Sequence, residues 1–356
     1  MVRNLWAVTI FVAVVAGSTV HSGSEPARAV PGAGLPDAVP IDVAPSDVVS
    51  SESATTDIAS GSSVWRVPIL PGPAQSNRGV ATGYDELHPG AAPAGSNDFT
   101  CTPTGQHPRP VVLAHGTDAT SYRDFAALAP LLADDGYCVF ALDYGGAAGA
   151  DSFGTEDIAT SAGQFGDFVD RVRAATGADS VDVVGYSQGA TVARYHVNRL
   201  GGAEHVHQWV GIASPSYGGV MYGLVPVLSA VPGGARFVEK VTSIAVAQQM
   251  QGSEFLTALN AGGDTVPGVR YTTIASRVDE MIQPHTNIAL RGPGAVNLVL
   301  QDECPGNGSG HFQSVYDPYV LDLVRRALDP TAIPRVRCEF VPIGAGIPEV
   351  VLESNS

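Results

Sequence analysis

The chain has 356 residues, of which 44% are apolar and only 15% are charged. This composition supports a large hydrophobic core, and a chain of this length can fold as one α/β domain. The net charge of -16 argues against a nucleic-acid partner and against electrostatic docking on anionic lipid. Neither a C-x-x-C spacing nor a histidine cluster indicates a metal site.

The first 29 residues have the pattern of a secretory signal peptide. Arg3 is a short positive region, residues 5–20 are apolar but too short for a stable membrane span, and Ala27-Arg28-Ala29 fits the small-x-small cleavage rule. An N-terminal membrane anchor is the alternative. Cleavage predicts an extracellular protein with no transmembrane segment in the mature chain. Residues 30–63, rich in Pro, Ala and Ser, are expected to be a flexible extension.

Residues 64–356 are predicted to form a single domain. Its first part, residues 65–110, has much Pro and Gly and little periodicity, which indicates an irregular lead-in. Short apolar runs then alternate with segments of helical spacing, which predicts a mostly parallel sheet covered by helices on both faces. The predicted strands are 111–114, 138–144, 181–184, 209–213, 269–275 and 296–300, and the predicted helices are 122–134, 158–175, 190–200 and 315–328.

Residues 216–264 interrupt this alternation. They are apolar, contain many Gly and Pro residues, and fall between two predicted sheet strands, where an inserted cap or lid would lie. Ordinary connecting helices explain the pattern equally well.

The four cysteines allow three pairings in an oxidising compartment. We predict the disulfides Cys101–Cys138 and Cys304–Cys338, because each of these pairs is local and encloses one structural unit.

The sequence VDVVGYSQGATVARY, residues 181–195, contains the pattern G-x-S-x-G. A β-branched run precedes it and a helix-compatible segment follows, which is the strand–turn–helix context of a nucleophile elbow. Side chains at Gly185 or Gly189 would collide where the strand approaches the helix. Ser187 is therefore the candidate nucleophile, although the pattern also arises by chance in a chain with 41 glycines.

A serine nucleophile needs a histidine base and an acid that orients it, in the chain order Ser, acid, His. His311 lies in a loop between the last predicted strand and the closing helix, whereas His285 follows the acid strand too closely. Asp279 and Glu280 both come just after the strand at 269–275, and we favour Asp279 because it is nearer to the strand. Asp143 ends a strand that precedes the serine and is interpreted as structural.

An oxyanion hole requires backbone N–H donors near the nucleophile. The N–H of Gln188, the residue after Ser187, is one candidate donor. Thr117, in the loop after the first predicted strand, offers its N–H and a hydroxyl as the second. His115 in the same loop is interpreted as a structural residue.

Three segments resemble the secreted class 2 lipases of actinobacteria: HPRPVVLAHGT at residues 107–117, VVGYSQGATVARY at 183–195 and VDEMIQP at 278–284. The resemblance extends over residues 97–338. It implies an α/β-hydrolase fold, a triad of Ser187, His311 and Asp279, and an oxyanion hole at Thr117 and Gln188. It also implies hydrolysis of lipid esters at an oil–water interface, in the manner of a triacylglycerol lipase, without a metal or cofactor.

Other functions remain open on the same scaffold. A short-chain carboxylesterase, an acyltransferase or a polyester depolymerase would use the same catalytic residues. A non-catalytic, hydrolase-like binding module is the alternative from a different class, and the presence of Ser, Asp and His in the required order argues against it.

Overall fold

The computed structural model describes residues 58–60, 63–220 and 243–348. Within these ranges the strands are β1 (Ile58–Ser60), β2 (Ser63–Arg66), β3 (Leu70–Pro71), β4 (Ala91–Ala92), β5 (Val111–Ala114), β6 (Val139–Ala147), β7 (Val181–Tyr186), β8 (Val206–Ile212), β9 (Arg270–Ala275) and β10 (Val296–Val299). The large sheet has the order β1-β2-β6-β5-β7-β8-β9-β10, and β3 pairs separately with β4. From β6 to β10 all neighbouring strands are parallel, whereas β1 and β2 are antiparallel. The predicted mostly parallel sheet is therefore confirmed.

The α-helices of the described ranges are α1 (Arg78–Leu87), α2 (Ser121–Phe125), α3 (Leu128–Asp134), α4 (Ile158–Thr176), α5 (Gln188–Arg199), α6 (Ile244–Gln248), α7 (Glu254–Asn260), α8 (Leu300–Glu303) and α9 (Pro318–Leu328). In this part of the chain, no helix combines the length and the apolar character that crossing a membrane requires.

Two hydrophobic cores cover the faces of the sheet, because successive side chains of a strand point to opposite faces. In β5, Val111 and Leu113 belong to one core, and Val112 and Ala114 belong to the other. Side chains of α2, α3 and α9 complete the first core. Side chains of α4 and α5 complete the second, so helices lie on both faces as the sequence predicts.

The predicted helix over residues 122–134 is instead two helices, α2 and α3. Pro130 lacks the N–H that would donate to the carbonyl of Ala126 in a continuous helix. That carbonyl accepts a hydrogen bond from the N–H of Gln75 instead, at 3.0 Å. A single missing donor thus separates the two helices.

The N-terminal part of the chain is more regular than its composition indicates. Residues 65–110 contain the end of β2, the β3–β4 pair and the ten-residue helix α1, so the prediction of an irregular lead-in is incomplete. Strand β1 and the first residue of β2 fall inside the predicted 30–63 extension. Strands of three and four residues are too short to produce a detectable alternation of apolar side chains. The predicted signal peptide, residues 1–29, lies outside the described residues.

The predicted cap region, residues 216–264, is described only at its two ends. Residues 221–242 lie outside the described ranges, and α6 and α7 form the second end. The buried Arg194 of α5 holds both ends, since it donates to the carbonyl of Ser216 at 3.2 Å and to Oδ1 of Asn260 at 2.7 Å. The region is therefore attached to the helix that follows Ser187.

His196 of α5 is a source of acid sensitivity in the fold. It packs between Gly166 and Gly202, where an added Cβ would lie 2.7 and 2.4 Å from its ring nitrogens, respectively. Its Nε2 is buried without a hydrogen-bond partner among the described residues. Burial lowers the pKa of His196 from 6.5 to about 4.

We predict that His196→Gln weakens the dependence of stability on acid pH. Between about pH 6.5 and pH 4 the unfolded chain binds a proton at His196 that the folded chain does not, so the wild type loses stability as the pH falls. The loss amounts to about 3 kcal/mol. Urea unfolding at a series of pH values measures it, and an equal slope for the variant and the wild type would contradict the assignment.

Candidate active site

Ser187 lies in a strained turn between β7 and α5. Its backbone angles are φ 50° and ψ -120°, a conformation that residues with a side chain rarely adopt. Its N–H donates to the carbonyl of Ile212 in β8 at 2.8 Å, which anchors the turn to the sheet. An added Cβ would lie 2.4 Å from the nitrogen of Ala190 at Gly185, and 2.0 Å from the carbonyl oxygen of Ala114 at Gly189. Both elbow positions therefore require glycine.

The structure brings Ser187, His311 and Asp279 together in one hydrogen-bonded chain. The Oγ of Ser187 is 3.1 Å from Nε2 of His311, and Nδ1 of His311 is 3.0 Å from Oδ2 of Asp279. Ser187 is 9% exposed, His311 5% and Asp279 1%. The exposure thus falls from the serine, which substrate must reach, to the carboxylate, which lies behind the imidazole.

Asp279 and Glu280 have different partners, which separates the two alternatives that the sequence left open. Oδ1 of Asp279 accepts the N–H groups of Met281 and Ile282 at 2.8 and 2.7 Å, which leaves Oδ2 for the imidazole. Glu280 instead accepts the backbone N–H of His311. Burial raises the pKa of Glu280. Asp279 therefore contacts the imidazole of His311, and Glu280 contacts its backbone N–H.

The loop that carries His311 is held at several points. The hydroxyl of Tyr186 donates to the carbonyl of His311 at 3.0 Å. The hydroxyl of Ser309 donates a hydrogen bond to Oδ2 of Asp317, the N-cap of α9, at 2.6 Å.

The disulfide Cys304–Cys338 ties the C-terminal segment to the start of this loop, and Cys101–Cys138 lies at the opposite end of the sheet strands. Both predicted disulfides are thus present in the structure.

The side chains of Thr117 and Gln188 contact each other at 2.7 Å, and Gln188 directly follows Ser187. Within the described ranges, neither backbone N–H donates to another protein group. The loop before Thr117 is fixed because the N–H of Gly116 donates to Oδ2 of Asp124 at 2.7 Å, and Arg78 pairs with Oδ1 of the same carboxylate at 2.6 Å. Two N–H groups on fixed backbone next to a serine hydroxyl can stabilise a developing oxyanion.

The other candidate side chains have structural partners. His115 is fully buried, donates from Nδ1 to the carbonyl of Gly116 at 2.7 Å and accepts at Nε2 from the N–H of Tyr144 at 3.2 Å. Burial lowers the pKa of His115, so it stays neutral. Asp143 pairs with Nε of Arg66 at 2.9 Å, whereas His285 lies in a 3-10 turn outside the hydrogen-bonded chain. No group of three or more His, Cys, Asp or Glu side chains in the described ranges could hold a metal ion.

Sequence reasoning missed three residues that support the site: Asp124, Tyr186 and Gln249. Tyr186 is inside the G-x-S-x-G pattern, and its position directly before Ser187 was the available signal. Asp124 is eight residues from Gly116, and no local spacing rule connects a helical aspartate to a loop N–H. Gln249 contacts Thr117 from 132 residues away, which only the fold reveals.

We predict that Gly189→Ala destabilises the protein by about 3 kcal/mol or more, because its Cβ would overlap the carbonyl of Ala114. Gly163→Ala in α4 is the matched control, since its Cβ would meet nothing within 4 Å. There alanine should stabilise the helix by about 0.5–1 kcal/mol. Urea unfolding of both variants tests the prediction, and a Gly189→Ala variant of wild-type stability would contradict it.

Several known proteins are similar to this chain. The solved structure of Aspergillus fumigatus lipase B matches 69% of this chain and 60% of its own length, with 19% sequence identity and a TM-score of 0.52. The mature form of Bacillus licheniformis lipase BlEst2 has 16% identity and a TM-score of 0.46, over 62% of this chain and 91% of that one. Bacillus subtilis carboxylesterase CesB has 16% identity and a TM-score of 0.42, over 79% of this chain and 93% of that one. No sequence among curated proteins matches the chain.

The likeness to the fungal lipase shows the fold and confirms the α/β-hydrolase architecture that the sequence predicts. The model of the family Lipase (class 2) matches residues 108–320, which contain Thr117, Ser187, Asp279 and His311. Because this match spans more than half of the chain, the protein belongs to the class 2 lipases.

Proposed function

We propose that this protein is a secreted serine hydrolase that cleaves carboxylic esters of lipids, as a triacylglycerol lipase. The observation that carries the proposal is the hydrogen-bonded chain from Ser187 through His311 to Asp279. Acyl transfer requires an activated nucleophile and donors that stabilise the oxyanion. The unpaired N–H groups of Thr117 and Gln188 supply these donors. Membership in the class 2 lipases supports ester hydrolysis as the reaction class.

In the first half of the reaction, Oγ of Ser187 attacks the ester carbonyl carbon and passes its proton to Nε2 of His311. The carbonyl oxygen becomes an oxyanion that accepts hydrogen bonds from Thr117 and Gln188. Asp279 stabilises the imidazolium through Nδ1. Collapse of the intermediate breaks the bond to the alcohol oxygen, which takes the proton from His311 and leaves an acyl-enzyme.

In the second half, water attacks the acyl carbon while His311 accepts one of its protons. The second tetrahedral intermediate uses the same two N–H donors. Its collapse releases the carboxylic acid and returns the proton to Ser187, so the enzyme is regenerated without any external cofactor.

We predict that Ser187→Ala lowers kcat on a short p-nitrophenyl ester by about 10,000-fold or more, because no other group replaces the nucleophile. Ser180→Ala is the matched control, since Ser180 precedes the opposite end of the same strand, β7. A fluorophosphonate probe should label the wild type and the control, and should not label Ser187→Ala. Retained turnover in Ser187→Ala would refute the mechanism.

The preference for triacylglycerol rests on family membership and on the uncharged sequence VMYGLVPVLSAV at residues 220–231, which suits a lipid-facing entrance. All but the first of these residues lie outside the described ranges. We predict measurable release of fatty acid from an emulsified long-chain triglyceride as well as from short esters. Titration of the released acid measures this activity across chain lengths. Activity on short esters alone would make the protein a carboxylesterase, and products formed with added alcohols or polyesters would indicate an acyltransferase or a depolymerase.

Secretion is part of the proposal and rests on the signal-peptide pattern of residues 1–29 together with two disulfides, which persist in oxidising compartments. We predict that the exported protein begins near Val30. N-terminal sequencing of protein recovered from the culture medium tests this, and an intact N-terminus in the membrane fraction would indicate the anchor instead.

A further inference from the structure

Gln249 connects the two proposed oxyanion donors to the segment that ends the insertion. It directly follows α6 and is 2% exposed. Its Nε2 lies 2.8 Å from Oε1 of Gln188, 3.2 Å from Oγ1 of Thr117 and 3.0 Å from the carbonyl of Ala245, and since the amide has two hydrogens, two of these contacts share one of them. One buried amide thus contacts the side chains of both residues that form the proposed oxyanion hole.

The partners fix the orientation of the Gln249 amide. Oε1 of Gln188 and the carbonyl of Ala245 can only accept hydrogen bonds, so the atom of Gln249 that faces them must be the nitrogen. Gln188 is oriented independently, because its own Nε2 donates to the carbonyl of Gly154 at 2.9 Å. The direction of every hydrogen bond in the cluster is therefore determined.

This direction decides where the hydroxyl proton of Thr117 points. Nε2 of Gln249 can only donate and lies 3.2 Å from Oγ1 of Thr117, so the hydroxyl proton points away from this nitrogen. In the free enzyme it donates to Oε1 of Gln188 at 2.7 Å. If the proton turns to a substrate oxyanion, Oε1 of Gln188 still accepts from Gln249 and no buried acceptor loses its last partner.

We propose that Gln249 is a positioning residue that makes the Thr117 hydroxyl a third oxyanion donor, in addition to the two backbone N–H groups. It does so by orienting the hydroxyl as a donor, and by keeping Oε1 of Gln188 hydrogen-bonded after the hydroxyl turns away. The inference rests on the proposed serine-hydrolase function and adds to it a residue outside every sequence motif. The role is in turnover rather than in substrate binding, because the oxyanion exists only after the attack.

The test uses Gln249→Met, which keeps the length of the side chain and removes the donor. On a soluble p-nitrophenyl ester we expect kcat to fall about 10-fold with KM nearly unchanged, which is less than the loss of a whole oxyanion donor. Gln248→Met is the matched control. Gln248 is adjacent and also makes two side-chain hydrogen bonds, to Asp157 and to the N–H of Ile158, but neither reaches the site.

A double-mutant cycle separates positioning from general structural damage. Thr117→Val removes the hydroxyl, keeps the backbone N–H and should lower kcat by about 100-fold. If Gln249 acts through that hydroxyl, adding Gln249→Met to Thr117→Val should change kcat by no more than about 2-fold. Thr117→Ser should restore most of the activity.

Independent, multiplying losses in the cycle would overturn the proposal, and so would a fall in kcat of equal size for Gln248→Met. Full kcat in Thr117→Val would overturn it as well, and this result does not depend on whether the Gln249 variants fold. Ser187→Ala distinguishes this failure from failure of the proposed function. If Ser187→Ala is inactive while Gln249→Met retains full turnover, the inference alone is wrong; if Ser187→Ala keeps turnover, the function is wrong.

Discussion

The close crossing of β7 and α5 at Ser187 is the constraint on which the rest of the site depends. Only hydrogen atoms fit at Gly185 and Gly189, which allows the helix to begin directly above β5. The chain reverses within one residue, and Ser187 takes up the strain in a backbone conformation that costs about 1–3 kcal/mol. Because β5 is the neighbour of β7, the same crossing brings the loop of Thr117 beside the N–H of Gln188.

Buried carboxylates hold the loops around this crossing. Asp124 accepts the N–H of Gly116, Glu280 accepts the N–H of His311, and Asp279 accepts two N–H groups of its own loop. Hydrogen bonds from a backbone N–H to a carboxylate are stronger than those between neutral groups, so each one fixes a loop that has no strand partner. Part of the acidic excess of the chain therefore has a structural use at the site rather than at the surface.

The sequence predicted those parts of the site that depend on local pattern. Ser187 and its flanking strand and helix are consecutive, and Asp279 and His311 each follow a strand in the order that parallel topology imposes. The prediction of one helix over residues 122–134 placed Pro130 in its interior, where proline breaks a helix, so Pro130 was the available signal for the separation of α2 from α3. The sequence could not indicate Gln249, since its contacts with Thr117 and Gln188 depend on the path of an insertion and not on any periodicity.

The contribution of Gln249 makes the proposed oxyanion hole depend on two different parts of the fold. The N–H groups of Thr117 and Gln188 are set by the sheet, whereas the direction of the Thr117 hydroxyl is set by the segment that ends the insertion. Hydrogen bonds of 2.8–3.2 Å weaken steeply once the atoms separate beyond about 3.5 Å. A shift of α6 by less than 1 Å is therefore enough to release the hydroxyl. The proposed role of Gln249 therefore makes the turnover rate depend on the position of α6 as well as on the sheet.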